Sequence, residues 1–319
     1  MKRNLTITCA ALLLYLTACK REDAVKPTVN NPLATTHVES LAVQITPLLV
    51  AGKAGSSGFT DGVGSAARFK SITGIFVDGD GTLYICDSGN QAVRRISIQN
   101  KVTTLNIAPE YFGEIEFSEA PFYVAVLNNG TVGISANKKL VLYKDGAVIK
   151  SFSNADNGIG LVGGLDEDPT GTFFYMTHTF FNLPANQITT YLGTIKKNQL
   201  SSSFTKISDE KSAYQLHTSS VGVKYLSSNG GLYTIGSTGL NRVYADLNTG
   251  VIHAYAVNKA GNTVYLTTGD NGDIKMIKNN QLTTIYNGAQ ANGIALANSE
   301  KYLYYTSGDN TVRRIPVPQ

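Results

Sequence analysis

The sequence predicts an all-β fold, a six-bladed β-propeller with four antiparallel strands in each blade, and three observations indicate it. Short segments with alternating apolar residues recur along the chain, separated by turn-forming clusters. Most of these units repeat at the ~40–50 residues expected of one propeller blade. A strand-like segment at Ile45–Ala51 also matches the strand that the last unit lacks. The composition agrees, because 31 Gly and 17 Tyr are typical of many short strands joined by tight turns.

The clearest unit begins at Gly74. Its first strand, Gly74–Asp78, is followed by a glycine-containing turn and a second strand, Leu83–Asp87. A third strand, Ala92–Ile96, and a fourth, Lys101–Leu105, complete the unit. The alternation of apolar and polar side chains within each segment predicts four successive antiparallel strands.

Two later units repeat the polar signature of the first. In all three, an Asn lies six positions after a Tyr, at Asn90, Asn271 and Asn310, and a β-branched residue followed by a basic one comes just beyond it. Three further units keep the rhythm of strands and turns but lack this Asn. The six first strands are marked, in chain order, by Gly74, Tyr123, Gly163, Val221, Ala254 and Gly293.

The last unit has only three strands before Gln319. Ile45–Ala51 resembles the fourth strand of the first unit, Val102–Leu105, in its pattern of apolar and polar residues. We therefore expect the N-terminal strand to complete the last blade. Such a closure leaves no free strand edge between the first and last blades.

The first 18 residues predict an export signal. Lys2 and Arg3 precede an apolar segment, Leu5–Tyr15, which is shorter than the ~20 residues needed to span a bilayer. Leu16–Cys19 resembles the bacterial lipobox, which implies a lipid on Cys19 and a lipid bilayer as partner. The alternative is an ordinary signal peptide with an incidental cysteine.

The residues after Cys19 predict a tethered envelope protein. Lys20–Asp23 resembles the charged export tags of Bacteroidetes surface lipoproteins, which implies an outer-membrane lipoprotein facing the cell surface or the periplasm. The predicted organisation is a signal at 1–18, a lipidated cysteine with a flexible tether at 19–40, and the propeller at 41–319. Once Cys9 leaves with the signal, Cys86 is the remaining thiol, and we expect it to be a buried apolar residue.

A family resemblance rests on the first unit. The glycine-rich lead-in Ala51–Phe69, then Gly74 and the segment Tyr84–Ile96, resemble the NHL repeat of bacterial propellers. The resemblance is strong over residues 48–105 and fair over 254–315. Gln91 departs from it, since family members often have His there. The resemblance implies a six-bladed propeller, and related propellers include a zinc-dependent lyase and calcium-dependent lactonases.

The signature polar residues have two interpretations. As short side chains beside a turn, Asp87 and Asn90 are expected to cap that turn, while Arg94 is expected to pair with a neighbouring blade. The alternative is that these residues contact a ligand. We favour the structural interpretation, because features repeated from blade to blade normally hold blades together. The predicted turn and ladder residues are Asp87, Asn90, Arg94, Asn271, Asn310 and Arg313.

The sequence contains candidate metal ligands but no metal-binding motif. His178, His217 and His253 fall in different units, as ligands around a propeller axis would, but no short His spacing supports a site. Asp166–Asp168 is acidic enough for calcium, yet the following Pro169–Gly171 favours a solvated turn. We therefore expect no cofactor, with calcium or zinc as the alternative.

Two departures from the repeat indicate a binding face. The loop between the second and third strands of the third unit, residues 177–187, is enlarged, and so is the connection that follows the first unit. Both should open on the same face of the disc, where binding residues on a rigid scaffold tend to lie. The alternative is that their aromatic residues cover the blades. The candidate ligand-binding residues are Tyr111, Phe112, Glu114, Glu116, His178, Phe180, Phe181 and Asn182.

Two functions follow from these patterns. The first is a non-enzymatic binding propeller on the cell envelope, in nutrient capture or envelope assembly, with a glycan, peptide or envelope protein as partner. The second is a metal-dependent hydrolase or lyase of the lactonase or amidating-lyase type at the central channel. Of 27 basic residues, two lie in the signal, so 25 remain against 23 acidic ones. With no basic stripe, we expect no nucleic-acid partner, and we expect a monomer.

Overall fold

The computed structural model describes most of the chain after the predicted tether. The described residues are 45–112, 120–136, 138–153, 158–182, 185, 187–209, 211–228, 231–243, 252–269 and 271–318. The predicted signal, Cys19 and the tether lie outside these ranges. Within them, the helical segments are short 3₁₀ turns, and none could cross a membrane.

The described residues form six small antiparallel sheets. The first holds β2 (Gly62–Val63), β3 (Ile72–Val77), β4 (Leu83–Asp87), β5 (Ala92–Ile96) and β6 (Lys101–Thr104). The second holds β7 (Tyr123–Val126), β8 (Val132–Ala136), β9 (Lys139–Lys144) and β10 (Ala147–Ser153). The third holds β11 (Leu161–Glu167), β12 (Phe174–Asn182), β13 (Gln187–Lys196), β14 (Gln199–Leu200) and β15 (Thr205–Ser208).

The remaining three sheets repeat this plan. The fourth holds β16 (Ala213–Thr218), β17 (Lys224–Ser228), β18 (Gly231–Gly236) and β19 (Gly239–Arg242). The fifth holds β20 (Ile252–Val257), β21 (Thr263–Thr268), β22 (Asp273–Lys278) and β23 (Gln281–Tyr286). The sixth holds β24 (Ala291–Leu296), β25 (Tyr302–Ser307), β26 (Thr311–Pro316) and the N-terminal strand β1 (Leu48–Gly52).

The sheets are arranged as blades around an axis. Each first strand contacts the first strands of the preceding and following sheets, in the cyclic order β3, β7, β11, β16, β20 and β24. The chain is a six-bladed β-propeller. The predicted fold class is therefore confirmed.

The ring closes as the sequence predicts. Strand β1 pairs antiparallel with β26, with Leu48 opposite Arg314 and Gly52 opposite Thr311. The strand begins at Leu48 rather than at Ile45, after Pro47, which has no N–H to donate to a ladder. The sixth blade is thus built from both ends of the described chain.

The cores lie between neighbouring blades. In the interface between the first two, Val93 and the second-blade residue Ile134 are completely buried, and Cys86 packs beside them. Burial also raises the pKa of the Cys86 thiol. The expectation that Cys86 is a buried apolar residue is confirmed.

The first strands of adjacent blades lie so close together that two positions on them have room only for glycine. A side-chain carbon on Gly74 would collide with the carbonyl of Phe122, and one on Gly293 would collide with that of Thr73. Both positions sit where a first strand passes the next blade. Glycine here therefore sets how tightly the ring closes around its axis.

One predicted strand marker is wrong. Val221 is 65% exposed and lies in the turn after β16, where Gly222 donates to the carbonyl of Ser219. The first strand of the fourth blade is Ala213–Thr218 instead. Its polar residues Gln215 and His217 line the central channel, so the strand lacks a simple apolar alternation.

Candidate functional site

The signature residues of the first blade form a buried polar cluster. Arg94 is fully buried, and its guanidinium donates to Asp87 at 2.6 Å and to Asp61 at 2.7 Å. The Asn90 amide donates to the same Asp87 carboxylate at 2.9 Å and to the carbonyl of Gly58 at 2.8 Å. Asp61 and Gly58 belong to the glycine-rich lead-in, so Arg94 holds this lead-in onto its own blade rather than pairing with a neighbouring blade.

The later copies of the signature differ from the first. Asn310 accepts from the backbone N–H of Ser71 at 2.7 Å and donates to the Ser57 hydroxyl at 3.2 Å. It thereby joins the sixth blade to the lead-in of the first. Arg313 pairs with Asp309 at 2.6 Å. Asn271 is exposed, and its backbone carbonyl accepts from the N–H of Gln290.

The connection after the first blade does not present Phe112 as a ligand contact. Phe112 is completely buried in the core between the first two blades, and Tyr111, at the end of a 3₁₀ turn, packs against the same core. Phe112 is therefore wrong as a binding residue, because burial of its ring fills the gap between two sheets. Glu114 and Glu116 lie outside the described residues.

The enlarged segment of the third blade is a β-hairpin rather than a loop. Strands β12 and β13 stay paired from Phe174 opposite Ile195 to Asn182 opposite Gln187. Phe180 and Phe181 are 36% and 47% exposed on this hairpin. These two residues and the exposed Asn182 remain accessible.

His178 lies inside the same hairpin and is wrong as a ligand-binding residue. The side chain is completely buried, its ring stacks on Tyr191 and lies 4.3 Å from the Phe204 ring, and its Nδ1 accepts from the N–H of Gly160. Burial lowers the pKa of His178 to about 4. The residue is thus a neutral part of the blade core. Sequence position alone could not show which face of β12 it occupies.

A cavity of the propeller runs along its axis. It has a volume of about 640 Å³ and is lined by the first strands of all six blades. Its polar lining groups include Asp166 and Glu167 from the third blade, Gln215 and His217 from the fourth, Tyr255 from the fifth and Asn292 from the sixth. The solvated turn expected at Asp166 and Glu167 is therefore wrong for these two residues, since they end strand β11.

Asp166 and His217 meet across the crevice between two blades. An Asp166 carboxylate oxygen accepts from the backbone N–H of Thr218 and lies 3.5 Å from His217 Nδ1. The Asp166 side chain is only 7% exposed, and burial raises its pKa to about 7. The His217 side chain is 30% exposed on the channel wall, and burial lowers its pKa to about 4. At neutral pH the pair is consequently a polar contact with an uncharged imidazole rather than an ion pair.

The pKa values of the neighbouring residues Glu167 and Asp168 are shifted in opposite directions. Burial raises the pKa of Glu167 to about 8, with repulsion from Asp166, Asp78 and Asp168 adding to it. Burial would also raise the pKa of Asp168, but hydrogen bonds from Thr170, Phe173 and Thr172 outweigh it and lower that pKa to about 2. Asp168 thus caps the predicted turn, whereas Glu167 belongs to the channel.

Tyr255 and Gln215 make the neighbouring crevice rigid. The Gln215 side-chain amide exchanges two 3.0 Å hydrogen bonds with the Tyr255 backbone, and the Tyr255 hydroxyl donates to the Gln215 carbonyl at 3.2 Å. The His217 ring stands edge-on to the Tyr255 ring, with centroids 6.4 Å apart. His217 is therefore held on both sides.

The donor set does not fit a metal centre. Among the described residues, no three His, Cys, Asp or Glu side chains come together in a way that could hold a metal ion. Of the three predicted histidines, His178 is buried in a blade and His253 Nε2 lies against the carbonyl of Gly269. His217 faces one carboxylate, Asp166, whose oxygen is already bonded to a backbone N–H.

Comparison with known proteins supports the fold alone. No protein-family model matches the chain, and no curated protein matches it. A structure of unknown function from Bacteroides thetaiotaomicron is 15% identical with a TM-score of 0.64, covering 86% of this chain and 76% of its own. A gluconolactonase from Xanthomonas campestris is 14% identical with a TM-score of 0.61. The match covers 86% of this chain and 90% of the gluconolactonase.

A third similar structure is an inactive virginiamycin B lyase from Staphylococcus aureus with quinupristin. It is 12% identical with a TM-score of 0.55, covering 86% of this chain and 99% of its own. These propellers share the arrangement of blades with this chain, at identities too low to carry an activity.

Proposed function

We propose that the protein is a non-enzymatic binding propeller of the bacterial envelope, with its ligand site in the central channel. One observation carries this proposal: the first strands of adjacent blades place Asp166 and His217 against each other on the wall of a 640 Å³ cavity. Small-molecule sites typically have volumes of ~300–1,000 Å³ and a few polar groups on rigid elements. The channel has this size and construction.

The ligand class follows from the charges of the channel wall. At neutral pH His217 is uncharged, Glu167 is largely protonated and Asp166 is near its midpoint, because their pKa values are about 4, about 8 and about 7. Gln215 and Asn292 add uncharged amides to the lining. Asp168 belongs to the same lining and is ionised at neutral pH, because its pKa is about 2. The uncharged groups offer hydrogen-bond donors and acceptors, which suit a hydroxyl-rich small molecule of the size of a sugar.

The envelope setting is part of the proposal. The lipobox-like segment ending at Cys19 supports a lipid anchor, and the tag-like residues after it support an outer-membrane location. The NHL-like lead-in, held by Arg94, supports membership of the NHL-type propellers. A captured sugar or glycan fragment would then be bound close to the membrane.

The test is a binding screen on the chain from Cys19 onward. Mono- and disaccharides are titrated by calorimetry against the wild-type protein and the variants Asp166→Ala, His217→Ala and Phe181→Ala. Both channel variants should weaken binding by at least about tenfold, the loss expected from removing one hydrogen bond of about 1.4 kcal/mol. Phe181→Ala, on the exposed hairpin, should leave binding unchanged. Loss of affinity in Phe181→Ala alone would place the site on the hairpin and contradict the proposal.

The Asp166–His217 pair also favours a second candidate, an acid–base enzyme. A carboxyl group with a pKa of about 7 beside an imidazole that stays uncharged can accept and return a proton at neutral pH. Sugar lactones test this function, since a gluconolactonase is among the similar structures. Turnover that falls in Asp166→Asn while binding persists would favour the enzyme. Binding without turnover would favour the binding propeller.

A further inference from the structure

An apolar patch lies on the outer rim of the propeller. Leu48, Leu49, Val63 and Ile98 are 50%, 45%, 60% and 67% exposed. Leu48 and Leu49 belong to β1 of the sixth blade, Val63 belongs to β2 of the first blade, and Ile98 lies in the turn between β5 and β6. We call these four residues the rim patch.

The segments that carry the rim patch meet where the first and sixth blades adjoin. The segment after Val63 passes the outer strand of the sixth blade, with Gly64 beside the carbonyl of Val50. The Gly64 N–H donates to the carbonyl of Asn100, which closes the turn that carries Ile98. These contacts bring the backbones of β1, β2 and this turn together at the seam where the ring closes.

The position of the rim patch in the chain indicates what covers it. The patch begins three residues after Ile45, the first described residue, so the predicted tether enters the propeller at this edge. A flexible chain of the length of residues 20–44 has an end-to-end distance of roughly 25–30 Å. A lipid on Cys19 would hold this edge of the propeller, before any other, close to the bilayer.

Cationic residues flank the apolar ones. Lys101 is exposed and pairs with Val63 across the β2–β6 ladder, and Arg314 pairs with Leu48 across the β1–β26 ladder. Apolar side chains flanked by Lys and Arg are the combination that binds the interface of a membrane with anionic phospholipids.

We propose that the rim patch rests on the phospholipid bilayer to which the chain is tethered. The inference depends on the proposed lipid anchor and is independent of what the channel binds. The third blade stands opposite the sixth in a ring of six. The blade that carries Phe181 therefore lies on the side of the ring far from the membrane, and the axis of the propeller lies along the bilayer rather than across it.

The chain contains no Trp, so a single introduced Trp reports one position. The variants are Leu49→Trp and Ile98→Trp in the rim patch, Val63→Trp as a second choice if either fails to fold, and Phe181→Trp as the control. The chain from Cys19 onward is coupled through that cysteine to a maleimide lipid, because Cys86 is buried. The vesicles contain phosphatidylethanolamine and phosphatidylglycerol, with and without brominated acyl chains.

The rim-patch variants should show blue-shifted emission on vesicles and several-fold stronger bromine quenching than Phe181→Trp. Equal quenching at the rim and at Phe181 would overturn the inference. Emission that is already blue-shifted without vesicles would also overturn it, since the tether itself would then cover the patch. Sugar binding by the same variants is measured in parallel, and chemical coupling supplies the anchor, so neither failure can be mistaken for failure of the proposed function.

Discussion

Asp166→Asn should change the pH dependence of stability in an unusual direction. The folded-state pKa of Asp166 is about 7, above its ordinary value of 3.8, because the carboxyl group is 7% exposed in the channel wall. The folded state therefore holds a proton that the unfolded state has lost. The protonated Asp166 carboxyl group therefore makes its full contribution to the free energy of unfolding of the wild type below pH ~4. This contribution falls as the pH rises to ~7, above which the carboxyl group is ionised in both the folded and the unfolded state.

The magnitude follows from the size of the shift. Moving a pKa from 3.8 to about 7 corresponds to at most about 4 kcal/mol, at about 1.4 kcal/mol for each tenfold change. Asn retains an oxygen that can accept from the Thr218 N–H but carries no ionisable proton. The stability of Asp166→Asn relative to the wild type should therefore rise by about 1–4 kcal/mol between pH 4 and pH 8.

Urea denaturation of both proteins at a series of pH values measures this difference. Asp168→Asn is the matched control, two residues along the same segment. The pKa of Asp168 is lowered to about 2, so its ionised form stabilises the fold above pH ~4. This control should lose stability relative to the wild type as the pH rises. A difference between Asp166→Asn and the wild type that stays flat from pH 4 to pH 8 would refute the assigned burial of Asp166.

Three further predictions concern the fold. Arg94→Met leaves the buried Asp87 carboxylate without its ion-pair partner and should destabilise by about 3–5 kcal/mol in urea, so a loss under 1 kcal/mol would contradict the cluster. Gly293→Ala should destabilise by about 1–3 kcal/mol because its new methyl group meets a backbone carbonyl, whereas Gly79→Ala, with open space around it, should be neutral in the same assay. Cys86 should resist thiol reagents until the protein unfolds, as stopped-flow labelling with and without urea would show.

Much of the architecture was predictable because it depends on local patterns. The strands of the first blade, Ile72–Val77 through Lys101–Thr104, follow from the alternation of apolar residues, and the pairing of β1 with β26 follows from matching two strand types. The fourth blade was harder to place. Its first strand carries Gln215 and His217, whose polar side chains face the channel. A search for alternating apolar residues does not detect such a strand.

The candidate site was less predictable. The position of Phe112 and His178 near long connections predicts a binding face, yet both residues are buried. A sequence pattern locates a residue on a strand or loop, but the packing of the adjacent sheet decides whether its side chain is covered. Polar residues in the second half of two first strands, at Asp166 and His217, were the available signal for the channel.

The sequence by itself determined the number of blades, the strand that closes the ring and the buried environment of Cys86, since these depend on periodicity and on short-range composition. Only the tertiary structure decided that Asp166 and His217, which are 51 positions apart in the chain, lie 3.5 Å from each other. That contact exists because closing the ring presses the first strands of adjacent blades together. The distance between two such strands is set by the packing of entire blades, and no local pattern encodes it.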